Sequence, residues 1–332
     1  MWGTRGSCPA SLNHQDLHIL IPQLLEEGRK LGLTTIDDFE TALRQDKFKT
    51  PLSIGGQTLC GQVDHKDQSF IIDMGSGLRD AGTAAQLKGQ KEFTFFLTHL
   101  HWDHLLGLNF FIPIFIPGTK IVIYHGHAAA PQSVKALFSR PFFPVSWEAN
   151  PGHISIAAEV EFRLMKLYEP VKLGDVDITM FNLDHPGGSF GYRFDAGGKS
   201  VSFGVDSEYK RVSAKELGPD LKFYQNLDLL IFDAQYSIAE LVTKQDWGHC
   251  SPEVGVDLAL REGIKNLLFL HHDPWADREK LLKAFNRTKQ YQKSQLCQFK
   301  KIDKLPEFWS GEQLGPNLIL GYDGIEVDLD DK

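Results

Sequence analysis

The reading of this chain turns on Glu92-Phe93-Thr94-Phe95-Phe96-Leu97-Thr98-His99-Leu100-His101-Trp102-Asp103-His104. Residues 92–97 carry four apolar side chains, three of them aromatic, which predicts a strand. It runs straight into three imidazoles and a carboxylate within six residues. That concentration is costly unless it is used, and neutral imidazole and carboxylate are ligands that zinc and similar ions prefer. In an extended turn His99 and His101 point the same way, while Asp103 and His104 follow as the chain begins to coil. One short segment can therefore serve two adjacent metals.

Further polar residues fall where the same site would collect them. His185 lies after the predicted strand Val176–Phe181, Asp206 ends Ser200–Val205, and His271 ends Leu267–Leu270. A chance cluster on a solvated loop would not bring such partners to strand ends. His125 and His127 also sit two apart after a strand, but no third ligand is near them in sequence, so they are read as structural.

The chain has 332 residues, 42% of them hydrophobic and 23% charged, enough for one large α/β sandwich or two average domains. Segment 12–48 reads as helical, with a second helix from Ile36 to Leu43 capped by Thr34 or Thr35. Strands are expected at Gln57–Val63, Ser69–Asp73, Lys120–Tyr124, Val160–Met165, Leu229–Phe232 and Asn317–Val327. Ser251-Pro252 opens a helix that Gly263 closes, and Asp273-Pro274 opens a long C-terminal one. Many strands first, with helices interleaved or late, suit two packed sheets with helices outside. The expectation is a single domain over 1–332 with a helical insertion at about 12–48.

The formal net charge of −8 lowers the expectation of a stable complex with long nucleic acid. Cys8, Cys60, Cys250 and Cys297 form no C-x-x-C pair, which argues against a thiolate zinc knuckle and for a reducing, cytoplasmic compartment. No signal peptide and no membrane span are read. The apolar, proline-rich region from Asn109 to Gly152 reads as a compact lid or dimer surface.

The H-x-H-x-D-H run with a distant His, a distant Asp and a late His resembles the metallo-β-lactamase superfamily. The likeness runs from about Trp2 to about Pro274 and includes Trp2-Gly3-Thr4-Arg5-Gly6-Ser7 and Ile72-Asp73-Met74-Gly75-Ser76-Gly77. It implies an αββα sandwich of two mixed sheets flanked by helices. It also implies two divalent ions, zinc foremost with manganese or iron as alternatives. His99, His101 and His185 would hold the first ion. Asp103, His104 and His271 would hold the second, and Asp206 would bridge them. His271 is preferred to His272 because it directly follows the apolar strand, as the last ligand does in the family. Two ions about 3.5–4 Å apart would share the attacking hydroxide.

Trp247-Gly248-His249-Cys250-Ser251-Pro252-Glu253, with Asp233 at the end of an upstream strand, is similar to the ribonuclease Z group. There an acidic residue pairs with a loop histidine to protonate the leaving oxygen, and Asp233 and His249 stand at those positions. His185-Pro186-Gly187-Gly188-Ser189-Phe190-Gly191-Tyr192-Arg193 resembles another stretch of that group. No glycine-rich basic arm for gripping tRNA is found. The likeness therefore shifts to phosphodiesterases that act on cyclic nucleotides, including the phage anti-Pycsar type, which are dimers. The expected enzyme is a dinuclear, homodimeric phosphodiesterase for small substrates, with Asp103, His249 and Asp233 catalytic and Ser189 and Arg140 as substrate contacts. A ribonuclease Z-type nuclease and a lactone or thioester hydrolase are the alternatives.

Overall fold

Alternation along the strands sets the layers of this computed structural model, which describes residues 1–12, 14–45, 47–48, 51, 53–149, 154–210, 212–301, 309 and 315–330. Along Glu92–Leu97, Phe93, Phe95 and Leu97 turn to one apolar cluster and Phe96 to another. Successive side chains on a strand face opposite ways, and a strand buried on both faces needs apolar residues at nearly every position.

The first sheet has the order β1-β2-β3-β4-β5. It comprises β1 (Gly61–His65), β2 (Gln68–Ile72), β3 (Glu92–Leu97), β4 (Lys120–His125) and β5 (Glu159–Leu164). Only β1 and β2 pair antiparallel; β2 to β5 are parallel. The second sheet holds β6 (Pro170–Leu173), β7 (Val176–Leu183), β8 (Ser189–Ala196) and β9 (Lys199–Gly204) as an antiparallel meander. It continues in parallel through β10 (Leu229–Asp233), β11 (Asn266–Leu270) and β12 (Asn317–Leu320).

Phe70 and Phe96 of the first sheet meet Tyr192, Phe194 and Phe203 of the second in the layer between them. The helices are α1 (His14–Lys30), α2 (Ile36–Arg44), α3 (Leu78–Leu87), α4 (Ala130–Leu137), α5 (Ala214–Leu217), α6 (Ile238–Leu241), α7 (Pro252–Glu262) and α8 (Arg278–Lys301). Leu78 of α3 and Val134 of α4 pack on the outer face of the first sheet. Val256 and Leu260 of α7 pack on that of the second. The result is the αββα sandwich. Among the described residues, no helix is long and apolar enough to cross a membrane.

Several expectations need correction. The C-terminal helix begins at Arg278, not at Pro274. Arg5 Nη1 donates to the carbonyls of Asp273 and Ala276, holding that stretch as a turn, and Asp277 Oδ1 accepts from Lys280 N as the effective cap. The last strand stops at Leu320 because Asp323 turns aside to accept from Gly56 N and Gln57 N. The region read as one lid divides: β4 runs through the middle of the first sheet, and Phe111 and Ile114 are buried, while Phe110, Ile112 and Phe142 are exposed. Gly152 and residues 150–153 lie outside the described residues. By contrast, Thr35 does cap α2, in a reciprocal pair with Asp38.

Candidate metal centre

Every candidate ligand follows the carboxyl end of a strand, and the two sheets bring those ends to one edge. β7, β9, β10 and β11 run in one direction, so His185, Asp206, Asp233 and His271 emerge together. In the first sheet β2 and β3 are parallel neighbours and deliver Asp73 and His99 side by side. Asp73, Asp206 and His271 have φ of +61°, +61° and +58°. Residues with side chains rarely adopt that conformation, and it concentrates at functional sites.

The ligand atoms form overlapping groups. His99, His101 and His185 form one; Asp103, His104 and His271 form a second; His99, His104 and Asp206 form a third. Within each, the ligand atoms lie within 4.8 Å of one another. Asp206 sits between the first two groups. Its Oδ2 is 3.1 Å from His104 Nε2, and its Oδ1 is 3.2 Å from His271 Nε2 and 3.9 Å from His185 Nε2. Asp103 Oδ2 lies 3.3 Å from His104 Nε2 and 3.5 Å from His271 Nε2. Of the seven, His101 alone is exposed, so the site opens on its side.

The burial of these groups tests whether they suit a metal. His99 Nε2, His104 Nε2, His271 Nε2 and Asp206 Oδ2 are buried and accept or donate no hydrogen bond. Buried polar atoms are ordinarily satisfied. Several unsatisfied ones converging are what divalent ions would occupy, and this donor set fits them. Burial pushes His99, His101 and His185 below the usual imidazole range, leaving neutral rings. Burial also opposes charge on His104, but Asp103, Asp206 and Asp73 outweigh it and hold the ring well above that range. Burial would raise Asp206, but His271 and His104 hold it well below the usual carboxylate range.

Supporting contacts fix the ring orientations. His185 Nδ1 donates to Gly248 O at 2.8 Å, which leaves Nε2 for a ligand bond. His104 Nδ1 donates to Asp73 Oδ2 at 2.7 Å, and the same carboxylate takes Thr98 N and Thr98 Oγ1, each at 2.8 Å. Sequence reasoning gave Asp73 no role, although a polar residue ending an apolar strand is the signal that picked out Asp206. Asp73→Asn should weaken metal binding about 10–100-fold, read by competition against a chromophoric chelator. Unaltered affinity would mean that this carboxylate does not orient His104.

The amino-terminal segment also reaches the centre. Ser7 N donates to Asp103 Oδ2 at 2.8 Å. A Cβ on Gly6 would lie 2.5 Å from the His271 ring, so only glycine fits. Buried Glu208 accepts from Trp247 N at 3.1 Å and ties the Asp206 loop to the loop of Gly248 and His249.

Asp233 is fully buried. It accepts from Cys250 N at 2.9 Å, Gln235 N at 3.2 Å and Asp206 N at 3.2 Å, and from His249 Nδ1 at 3.1 Å. Although Asp233 and His249 could join Asp206 and His271 around an ion, four donors already occupy this carboxylate. Its geometry is that of an orienting group. His272 stands apart: its Nε2 bonds Gly321 O at 2.9 Å, and burial lowers its pKa to about 4. Ser189 Oγ, at the start of β8, is buried without a partner. Arg140 is outside the cluster, exposed, with Nε donating to Pro144 O at 3.3 Å. Arg193 is held by Asp195 and the Lys222 carbonyl.

Ions on so many buried groups should stabilise the fold by mass action, about 4 kcal/mol at a thousandfold excess over Kd. Chelation should therefore lower Tm by at least roughly 5 °C. Identical melting curves with and without chelator would argue against occupancy.

A family model described as "Beta-lactamase superfamily domain" matches residues 77–272. Ribonuclease Z of Exiguobacterium sibiricum is 21% identical over 266 residues, which cover 66% of this chain and 84% of that one. Among solved structures, the metallo-beta-lactamase fold protein YhfI of Bacillus subtilis aligns with a TM-score of 0.56 at 16% identity, over 83% of this chain and 93% of its own. A diphosphatase of the PhnP family aligns at 0.53 and 18% identity, over 82% and 85%. Both structural likenesses concern the fold.

Proposed function

The chain belongs to the beta-lactamase superfamily and is a metal-dependent hydrolase, and we propose that it cleaves small phosphodiesters, cyclic nucleotides foremost, at a centre of two divalent ions. The observation that carries this reading is the Asp233–His249 pair beside the ligand cluster, with His249 Nδ1 3.1 Å from Asp233 and 3.6 Å from Asp206. The departing alkoxide of a phosphodiester needs a proton, which a positioned acid supplies, whereas a thioester releases a thiolate that departs without one.

His99, His101 and His185 would hold one ion and Asp103, His104 and His271 the other, with Asp206 between them. When bound, the ions supply a nucleophile at neutral pH and neutralise phosphate charge. Zinc suits the donor set, as do manganese and iron. Asp233 fixes the His249 ring with Nδ1 as its donor and leaves Nε2 to deliver a proton to the leaving oxygen. Ser189 Oγ is the stronger candidate for a substrate contact, being buried and unpartnered; Arg140, exposed and outside the ligand cluster, is the weaker. The exposed row Leu17, Ile21 and Leu25 on α1 supports a homodimer. Free thiols at Cys8, Cys60, Cys250 and Cys297 support a reducing cytoplasm.

A ribonuclease Z-type nuclease is the second reading, favoured by the 21%-identical relative of that name. The net charge of −8 and the lack of a basic arm in the sequence weigh against it. Turnover of the metal-loaded protein on a cyclic nucleotide, bis-p-nitrophenyl phosphate, a precursor tRNA and a lactone separates the readings. Cleavage of the lactone alone would overturn both.

A further inference from the structure

Three of the buried imidazoles at the centre have a fixed partner on Nδ1. His99 Nδ1 lies 3.0 Å from Thr98 Oγ1, His104 Nδ1 2.7 Å from Asp73 Oδ2 and His185 Nδ1 2.8 Å from Gly248 O. Ligating imidazoles almost always donate their other N–H in this way, which sets tautomer and ring orientation. His271 is different: its Nδ1 is buried and has no partner among the described residues. Asp233 Oδ2, at 3.6 Å, is beyond hydrogen-bond reach and already accepts from His249 Nδ1 and Asp206 N. Oδ1 of the same carboxylate accepts from Gln235 N and Cys250 N. Its roughly four acceptor sites are therefore filled.

Gln235 Oε1 is also buried without a partner. A Cβ on Gly6 would lie 2.5 Å from both Gln235 Oε1 and His271 Nδ1, so the two atoms converge on one point. The amide is turned this way by its other end, where Nε2 donates to the Tyr236 hydroxyl at 3.1 Å. A buried donor and a buried acceptor left unsatisfied side by side are both unfavourable, and pairing them removes both costs.

We propose that Gln235 is the positioning residue of His271: with Nε2 on an ion, the ring carries its proton on Nδ1 and donates it to Gln235 Oε1. The inference rests on the two-ion reading above. The second ion would then have one imidazole backed by a carboxylate, His104 on Asp73, and one backed by a neutral amide, His271 on Gln235. A carboxylate makes the imidazole it orients a more basic ligand than an amide does, so the charge of this acceptor tunes how tightly the ion is held.

The test is titration of the metal-free full chain with zinc against a chromophoric chelator, for the wild type, Gln235→Met and Gln235→Glu. Methionine keeps the length of the side chain and removes the acceptor; glutamate keeps the acceptor and adds charge. Gln235→Met should weaken one of the two ions about 10–100-fold and leave the other unchanged, while Gln235→Glu should hold both at least as tightly as the wild type. In ¹H–¹⁵N spectra of the zinc-loaded protein, the His271 Nδ1 proton should exchange slowly with water in the wild type and fast in Gln235→Met. A methionine variant with wild-type affinity and spectrum would overturn the assignment. So would a glutamate variant as weak as the methionine one, which would make the loss a matter of packing. If circular dichroism shows that Gln235→Met does not fold, Tyr236→Phe carries the test by freeing the amide, and unchanged affinity for both ions overturns the assignment. A wild type that takes up fewer than two ions per chain overturns the two-ion centre itself; two ions in the wild type with no effect of the Gln235 variants overturn the Gln235 assignment alone.

Discussion

Replacing Asp206 with asparagine is expected to lower kcat/KM for any substrate of this centre by at least about 10³-fold, equivalent to roughly 4 kcal/mol of transition-state stabilisation. Asp206 is the carboxylate between the two ligand groups, 3.1 Å from His104 and 3.2 Å from His271. Removing its charge leaves His104 and His271 without a shared anion and would take from the two proposed ions their common ligand. Asparagine is the informative variant because it tolerates the left-handed backbone found here, φ +61°, whereas alanine adds strain. The variant should keep its far-ultraviolet circular dichroism while metal content, read by atomic spectroscopy, falls from two ions per chain to one or fewer. An asparagine variant that retains two ions and full turnover would refute the bridging role. One that unfolds would be seen in the dichroism and told apart from a disabled site.

The sequence disclosed the sandwich and most of its strands because strands buried on both faces announce themselves as apolar runs. Glu92–Leu97 is the clearest instance: it was expected over the residues where β3 lies. Residues that end such runs with an imidazole or a carboxylate were equally visible, and the structure brings His99, His101, Asp103, His104, His185, Asp206 and His271 together. Less was legible where the partner is a backbone group or comes from a distant part of the chain. Nothing in the sequence links Gly248 to His185 or Ser7 to Asp103, because a peptide carbonyl or amide looks alike at every residue. β8 was obscured by Gly191 within it and by Gly187 and Gly188 just before it, and was read only as part of a motif. The start of α8 was misplaced because Asp273-Pro274 has the local chemistry of a cap, yet Arg5, hundreds of residues away, claims the carbonyls there. Local signals yield to tertiary contacts at such places, and these are also the places that hold the site in shape.

Replacing His249 with alanine is expected to discriminate between leaving groups rather than to disable the enzyme uniformly. For a poor leaving group, such as the ribose oxygen of a cyclic nucleotide, kcat should fall by roughly 10²–10⁴-fold, the usual contribution of a positioned acid. For p-nitrophenolate, which departs without a proton, the loss should stay under about tenfold. The geometry suits His249 to this proposed role because Nδ1 is committed to Asp233, whose other acceptor positions are filled by backbone amides. The ring is also braced by its stacking on His271, with centroids 4.8 Å apart, and by Tyr236 at 5.6 Å. Truncation thus opens space beside a ligand, so metal content must be measured alongside the kinetics. If ions are lost and both leaving groups slow equally, His249 serves the metals. If ions are kept and both slow equally, it positions the substrate. Only a steep dependence on leaving-group pKa with metals intact assigns it the proton.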